Sequence, residues 1–298
     1  MAGCCGESKT DTAKTGCCGA DAARTQVREG YARVAREQGS CCGPAGCGTD
    51  TAQALAEGVG YAASDLETLP EGANMGLSCG NPTALASLRE GEVVVDLGSG
   101  GGFDVFLAAR RVGETGRSIG VDMTPDMLDT ARRNAAAFRE AGGPDTVEFR
   151  LGEIEHLPLA DNSADVVISN CVINLSPEKA QVWREMARVL RPGGRVAVSD
   201  MAILRPLPEA ALAVAESLVG CVAGAVTIEE TVRMAEAAGF ADVQVERKDE
   251  AFAAMGEFKD ERYRAIHEAL PEGEALAAYL TSVNVTARMP AACCGRTA

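Results

Sequence analysis

Histidine is nearly missing from this chain: His156 and His267 are its whole complement. There is no Cys-x-x-Cys pair either, so zinc-finger spacing is excluded. Positive charge is scarce. Lys and Arg number 28 against 43 Asp and Glu, a net charge of −15. Phosphate backbones call for a basic surface, so the balance argues against nucleic acid as substrate. No run of 18 apolar residues occurs, which predicts no membrane span. The opening Met-Ala-Gly-Cys-Cys-Gly-Glu lacks the basic and apolar parts of a signal peptide. These absences predict a cytoplasmic protein whose thiols stay reduced. With 46% hydrophobic residues in 298, a full core is available without disulfides.

Cysteine, by contrast, is abundant, with 12 in the chain. Eight form four Cys-Cys-Gly repeats, at Cys4-Cys5, Cys17-Cys18, Cys41-Cys42 and Cys293-Cys294; the others are Cys47, Cys79, Cys171 and Cys221. Thiolates are preferred ligands of soft metals and metalloids. A buried free cysteine is also an ordinary core residue, so position must decide.

Residues 1–20 are small, polar and Cys/Gly-rich and read as a mobile tail. A helix is expected from Asp21, with Val27, Tyr31 and Val34 on one face. Residues 21–82 are expected to form a helical and loop segment, 83–248 the core, and 249–298 a C-terminal region ending in a Cys-rich tail. Strands are predicted up to Asp96 and over 117–122, 147–151, 164–170, 195–200 and 242–247, with a further one over 279–288. Thr124-Pro125 and Ser176-Pro177 are expected to open helices, as Thr or Ser before Pro suits a helix start. Thr227-Ile228-Glu229-Glu230 reads as a capping box. Strands alternating with helices mean right-handed βαβ units and a parallel sheet.

The chain is organised around Val93-Val94-Val95-Asp96-Leu97-Gly98-Ser99-Gly100-Gly101-Gly102-Phe103. This is a buried strand that runs into a glycine loop and opens a helix. Phe103 stands where a dinucleotide fingerprint has its third glycine, and Asp96 would repel a pyrophosphate. Ligands of open α/β sheets lie beyond the strand carboxyl ends. The candidates there are Asp96, Gly98, Ser99, Gly100, Gly102, Asp122, Ile154, Glu155 and Asn170, with Asp122 suited to ribose hydroxyls. Taken with Gly120-Val121-Asp122-Met123 and Leu190-Arg191-Pro192-Gly193-Gly194-Arg195, the pattern resembles the class I S-adenosylmethionine-dependent methyltransferases over about residues 91–200. The resemblance implies a Rossmann-like α/β fold, with a mostly parallel seven-stranded sheet and helices on both faces. It implies S-adenosylmethionine over the glycine loop, its ribose on Asp122, and its adenine between Met123 and Ile154-Glu155.

Cys171 follows Asn170 at the end of a predicted strand, Cys221 lies in a small-residue segment, and Cys79 in a loop before the core. Their surroundings are Pro70 through Pro82, Leu151 through Pro158, Ser169-Asn170-Cys171-Val172-Ile173-Asn174-Leu175, and Gly220-Cys221-Val222-Ala223-Gly224-Ala225. These resemble the bacterial arsenite methyltransferases over about residues 61–245, with Ser78 a departure where that family often has glycine. The resemblance implies that Cys79, Cys171 and Cys221 hold trivalent arsenic, whose lone pair takes the methyl group. No proton must leave that lone pair, so the scarcity of histidine does not count against an enzyme. Methylation oxidises arsenic, so the family reading adds a redox cysteine, Cys41 or Cys42 with Cys47 as a third choice. Thioredoxin or glutathione would reduce the resulting disulfide. Arsenite and methylated arsenicals are the implied substrates and products, of a protein expected to act as a monomer. Two alternatives stay open: a methyltransferase of another small molecule such as a quinone or sterol, and a non-enzymatic soft-metal-binding protein. The terminal Cys-Cys-Gly repeats read as a tail without a catalytic role, or as a device that captures arsenite.

Overall fold

The computed structural model describes residues 17–37, 49–217, 221–249 and 261–291. Its elements are α1 (Cys17–Glu37), α2 (Thr49–Gly58), α3 (Ala63–Leu66), α4 (Pro82–Leu85), β1 (Val93–Leu97), α5 (Phe103–Val112), β2 (Arg117–Asp122), α6 (Pro125–Glu140), β3 (Val147–Leu151), β4 (Ala164–Asn170), α7 (Lys179–Val189), β5 (Leu190–Ile203), α8 (Glu209–Ser217), β6 (Val226–Thr227), α9 (Ile228–Ala237), β7 (Ala241–Arg247), α10 (Glu261–Glu268) and β8 (Leu280–Arg288). The sheet order is β3-β2-β1-β4-β5-β8-β7, with the two-residue β6 pairing β5 off that path. Strands β1 to β5 pair in parallel, and β8 runs antiparallel to both β5 and β7. Seven strands thus form the main path, six of them running in one direction with β8 against them, a mostly parallel sheet as the sequence led us to expect.

The period-2 alternation of β1 sorts the core. Val95 and Leu97 join Trp183 and Met186 of α7 and Phe240 after α9 in one apolar cluster. Val94 faces the other way, with Val166, Ile168 and Ala197, against Ala108 and Val112 of α5. Helices therefore cover both faces, which is why the strands read as nearly continuous apolar runs. A third cluster lies at the carboxyl edge. It joins Cys79, Cys171 and Cys221 to Phe103, Met201, Ala211 and Ala215 of α8, Ile266 of α10 and Leu280 of β8. The last 50 residues, barely readable in the sequence, thus supply a sheet strand and part of the wall around the cysteines.

Several boundaries differ from the sequence reading. Helix α1 begins at Cys17 rather than Asp21, so the second Cys-Cys pair is helical and not part of a tail. Strand β5 extends from Leu190 to Ile203, beyond the expected 195–200. Its partner β8 continues the ladder from Arg195↔Arg288 to Ile203↔Leu280, which keeps the strand extended past Asp200. Ser176-Pro177 does not cap α7, which starts at Lys179 after Glu178. Ser176 Oγ donates to Glu155 and accepts from the Glu178 N–H instead, holding a turn that delays the helix. Among the described residues no helix is long and apolar enough to cross a membrane.

The capping box is present as read: Thr227 Oγ1 accepts from the Glu230 N–H, and Glu230 accepts from the Thr227 N–H. Thr227→Ala is expected to lower unfolding free energy by about 1 kcal/mol. Denaturant unfolding monitored by circular dichroism checks this; an unchanged midpoint would show that the box contributes nothing.

Candidate active site

A cavity of about 720 Å³, open to solvent, lies at the carboxyl ends of β1, β2 and β4. Seven of the residues expected to hold a cofactor line it: Gly98, Gly100, Asp122, Met123, Ile154, Glu155 and Asn170. Asp96, Ser99 and Gly102 do not. Ser99 turns inward over β2, its Oγ 2.6 Å from where a Cβ on Gly120 would stand. Gly102, at φ +95°, leaves room for the rings of Phe106 and Phe149. Asp96 is buried behind the loop.

The glycine loop is held from below by Asp122. Its Oδ2 accepts from the Gly100 N–H at 3.0 Å and its Oδ1 from the Thr124 N–H at 2.8 Å. Asp122 also lines the cavity, where a carboxylate oxygen can accept from a hydroxyl. Burial raises the carboxyl of Asp122 above its ordinary range, against the pull of those N–H groups. Asp104 is raised to about 6 by burial, opposed by hydrogen bonds from Tyr61 and Asn170. Asp96 is pushed well above the usual range by burial and by the charges of Asp104 and Asp122. Burial raises the proton affinity of all three acids, and a cation in the cavity would favour their ionised forms. The donor set therefore fits a sulfonium with a ribose.

Beside the cavity three cysteine sulfurs meet. The Sγ atoms of Cys79, Cys171 and Cys221 all lie within 4.8 Å of one another. Cys79 and Cys171 are joined as a disulfide with Cα atoms 5.8 Å apart, and the Cys221 Sγ is 3.9 Å from that of Cys79. All three residues are buried. Soft ions bind thiolates at about 2.3 Å, as zinc does, so small side-chain adjustments would let the three share one ion. Cys41 and Cys42, read as redox partners, and Cys47 lie outside the described residues, as do Cys4, Cys5, Cys293 and Cys294.

Each thiol is delivered by a constrained backbone. Cys171 has φ +57°, a left-handed conformation rare outside glycine, and its N–H is held by Ser199 O at 2.8 Å. The Cys79 N–H donates to Asn170 Oδ1 at 3.0 Å, and the Cys79 carbonyl accepts from Ser282 Oγ of β8 at 2.9 Å. Asn170 Nδ2 also donates to Gly80 O and Tyr61 Oη at 3.0 Å and to Asp104 Oδ2 at 3.1 Å. Asn170 borders the cavity, but its amide is committed to the Cys79 loop, which a cofactor-ligand reading of the strand end could not show. The Cys221 turn is seated on Asn174: a Cβ on Gly224 would lie 2.0 Å from the Asn174 carbonyl oxygen. Asn174 in turn is fixed by Asp200, through Nδ2 to Oδ1 at 2.8 Å and its N–H to Oδ2 at 3.2 Å. Tyr61, Asp104, Asn174 and Asp200 were not singled out from the sequence, since no local spacing marks contacts so distant along the chain.

Residues 88–239 match a family model described as a methyltransferase domain. An arsenite methyltransferase of Halobacterium salinarum is 45% identical over 90% of this chain and 67% of its own length. The chain belongs to the arsenite methyltransferase family. A second member, from Aquipseudomonas alcaligenes, is 43% identical over 52% of this chain and 46% of its own length, so the chain spans under half of that relative. The crystal structure of an arsenic(III) S-adenosylmethionine methyltransferase from Chlamydomonas reinhardtii is similar at TM-score 0.54 and 34% identity, covering 80% of this chain and 73% of that one. The fold is the class I methyltransferase fold.

Within this family member Asp200 is a titrating support of the thiol site. Burial raises its carboxyl to about 7 from an ordinary 3.8, against the N–H groups of Met201 and Asn174 and the nearby Lys179. The folded chain holds this proton more tightly than the unfolded one. Its contribution to stability is therefore complete below about pH 4 and is lost as pH rises through about 7. Asp200→Asn removes that titration, so urea unfolding across this window should show a shallower decline with pH than in the parent. Asp104 shares the window and keeps part of the slope. An identical slope in the variant would show that Asp200 does not titrate there.

Proposed function

We propose that this protein transfers a methyl group from S-adenosylmethionine to trivalent arsenic bound by Cys79, Cys171 and Cys221, giving methylated arsenicals as a detoxification step. One observation carries the reading: Cys171 belongs to the three-thiol cluster and also lines the cavity that holds Gly98, Gly100 and Asp122. The metalloid and the cofactor would thus meet at one side chain.

The chain's own groups account for the chemistry. With Cys79, Cys171 and Cys221 as free thiols, the site offers three sulfurs to one arsenic. Arsenite then exchanges its three hydroxyls for three thiolates and releases three waters. The buried apolar surroundings exclude water from the three-coordinate arsenic, and the backbone anchors of Cys79 and Cys171 fix its position. Asp122, Gly98 and Gly100 would hold the cofactor, with Met123 and Ile154 flanking its adenine. The cofactor supplies an electrophilic methyl on a sulfonium, whose sulfur keeps the bonding electron pair on release. The arsenic lone pair forms the new bond, so no side chain must take a proton, and positioning supplies the catalysis. Arsenic leaves that step pentavalent. Two protein thiols closing to a disulfide return two electrons to it, and Cys41 or Cys42 is our choice for the additional thiol. Thioredoxin or glutathione then reopens the disulfide.

The test is incubation with S-adenosylmethionine, arsenite and a thiol reductant, followed by arsenic speciation. Methylated arsenic is expected from the parent chain, and its absence would end the reading. Cys171→Ser and Cys221→Ser should each lower the methylation rate by at least about a hundredfold, since effects of groups that act as a unit are large. Full activity in either would rule out the three-thiolate site. Asp122→Ala should weaken cofactor binding while leaving arsenite binding intact.

A further inference from the structure

Helix α1 has no role in the reading above, yet one face of it closes the cofactor cavity. Arg24, Val27 and Tyr31 line that cavity, at the spacing that places residues on one helical face. They stand opposite Met123, Ile154 and Glu155, at the end assigned to adenine. We propose that α1 completes the cofactor site: Val27 and Tyr31 cover the adenosine, and Arg24 is the positioning residue that holds the helix in place. This inference rests on the cofactor reading of the cavity.

The attachment of α1 singles out Arg24. Its side chain is 9% exposed, and its partner Glu155 is 3% exposed. Arg24 Nε faces Glu155 Oε1 at 3.4 Å, Nη1 donates to Asp21 Oδ1 at 3.0 Å, and Nη2 donates to Glu178 Oε2. Glu155 Oε1 also accepts from Ser176 Oγ at 2.5 Å. The guanidinium thus joins α1 to the loop after β3 and to the residue preceding α7. The remaining ion pairs of α1 are more exposed: Arg28 to Glu153 at 3.0 Å and Arg36 to Asp126 at 3.6 Å. Exposed pairs contribute little, whereas removing one member of a buried pair leaves the other unsatisfied. Glu155 would then be a buried carboxylate that has lost its ion-pair partner. The cavity wall carried by Val27 and Tyr31 would lose its fixed distance from Met123.

The proposal predicts that Arg24→Ala weakens binding of S-adenosylhomocysteine about tenfold or more by calorimetry, with Arg24→Lys intermediate because it keeps the charge but loses the fork. Tyr31→Ala should weaken binding with the ion pairs intact, which keeps the test valid if Arg24→Ala folds poorly. In turnover, the KM for S-adenosylmethionine should rise more than kcat falls. Arsenite binding to the reduced thiols should match the parent, since the role assigned to these residues is toward the cofactor. Hydrogen exchange across residues 24–36 should slow when S-adenosylhomocysteine is added to the parent. Parent-like affinity in both Arg24→Ala and Tyr31→Ala, or unchanged exchange in α1, would overturn the proposal. A parent chain that binds no S-adenosylhomocysteine would instead overturn the cofactor reading beneath it.

Discussion

The amide of Asn170 ties the two halves of the site together. Its oxygen takes the backbone N–H of Cys79, and its nitrogen reaches Gly80, Tyr61 and Asp104. The Cys79 loop is thereby fastened to the end of β4 and to the first turn of α5, the helix that follows the glycine loop. The next residue, Cys171, must leave the strand at once toward the other two thiols. Its left-handed backbone makes that turn, a strained geometry kept where the surrounding structure enforces it. Movement of Asn170 would displace Cys79 and Cys171 together, along with the loop beside which the cofactor is proposed to sit.

A second constraint is the concentration of acidic side chains near the glycine loop. Asp96, Asp104 and Asp122 are all buried near the glycine loop, and burial raises the proton affinity of each. Such a cluster is unfavourable in the empty protein and is eased by a cation. Glu155, on the far side of the cavity, has its positive partner built in as Arg24. Glu155 is thus paired with a cation, while burial draws the three aspartates toward their protonated forms.

The parts of this arrangement that sequence exposes are local. The valine run of β1, the glycines after it and the Thr227 capping box each declare themselves within a few residues, and the structure has them there. Strand boundaries at 117–122, 147–151 and 164–170 coincide with the observed ones because turn residues delimit them on both sides. Other features depend on distant partners. The spacing of Val27 and Tyr31 shows that α1 has a face but not what it lies against. The insertion of β8 between β5 and β7 follows from a pairing no single segment encodes. Ser99 reads as a cofactor ligand because it stands in the loop, and only the absence of a side chain at Gly120 lets it turn the other way. Sequence resemblance located the three thiols; the hydrogen bonds of Cys79, the carbonyl of Asn174 and the charge on Asp200 needed coordinates.

The contact between Ser282 and the Cys79 carbonyl has a temporal meaning. Strand β8 is the last strand of the sheet to be synthesised, and it reaches back 203 positions to grip the first of the three cysteines. Domains emerge from the ribosome N-terminal end first, at about 5–20 residues per second. All three cysteines therefore leave the ribosome before the strand that fixes the Cys79 loop. During that interval the thiols are present without their final geometry, and a trivalent ligand meets them singly or in pairs. Under the proposed reading, three-point capture of arsenic therefore follows the docking of β8 against the Cys79 loop.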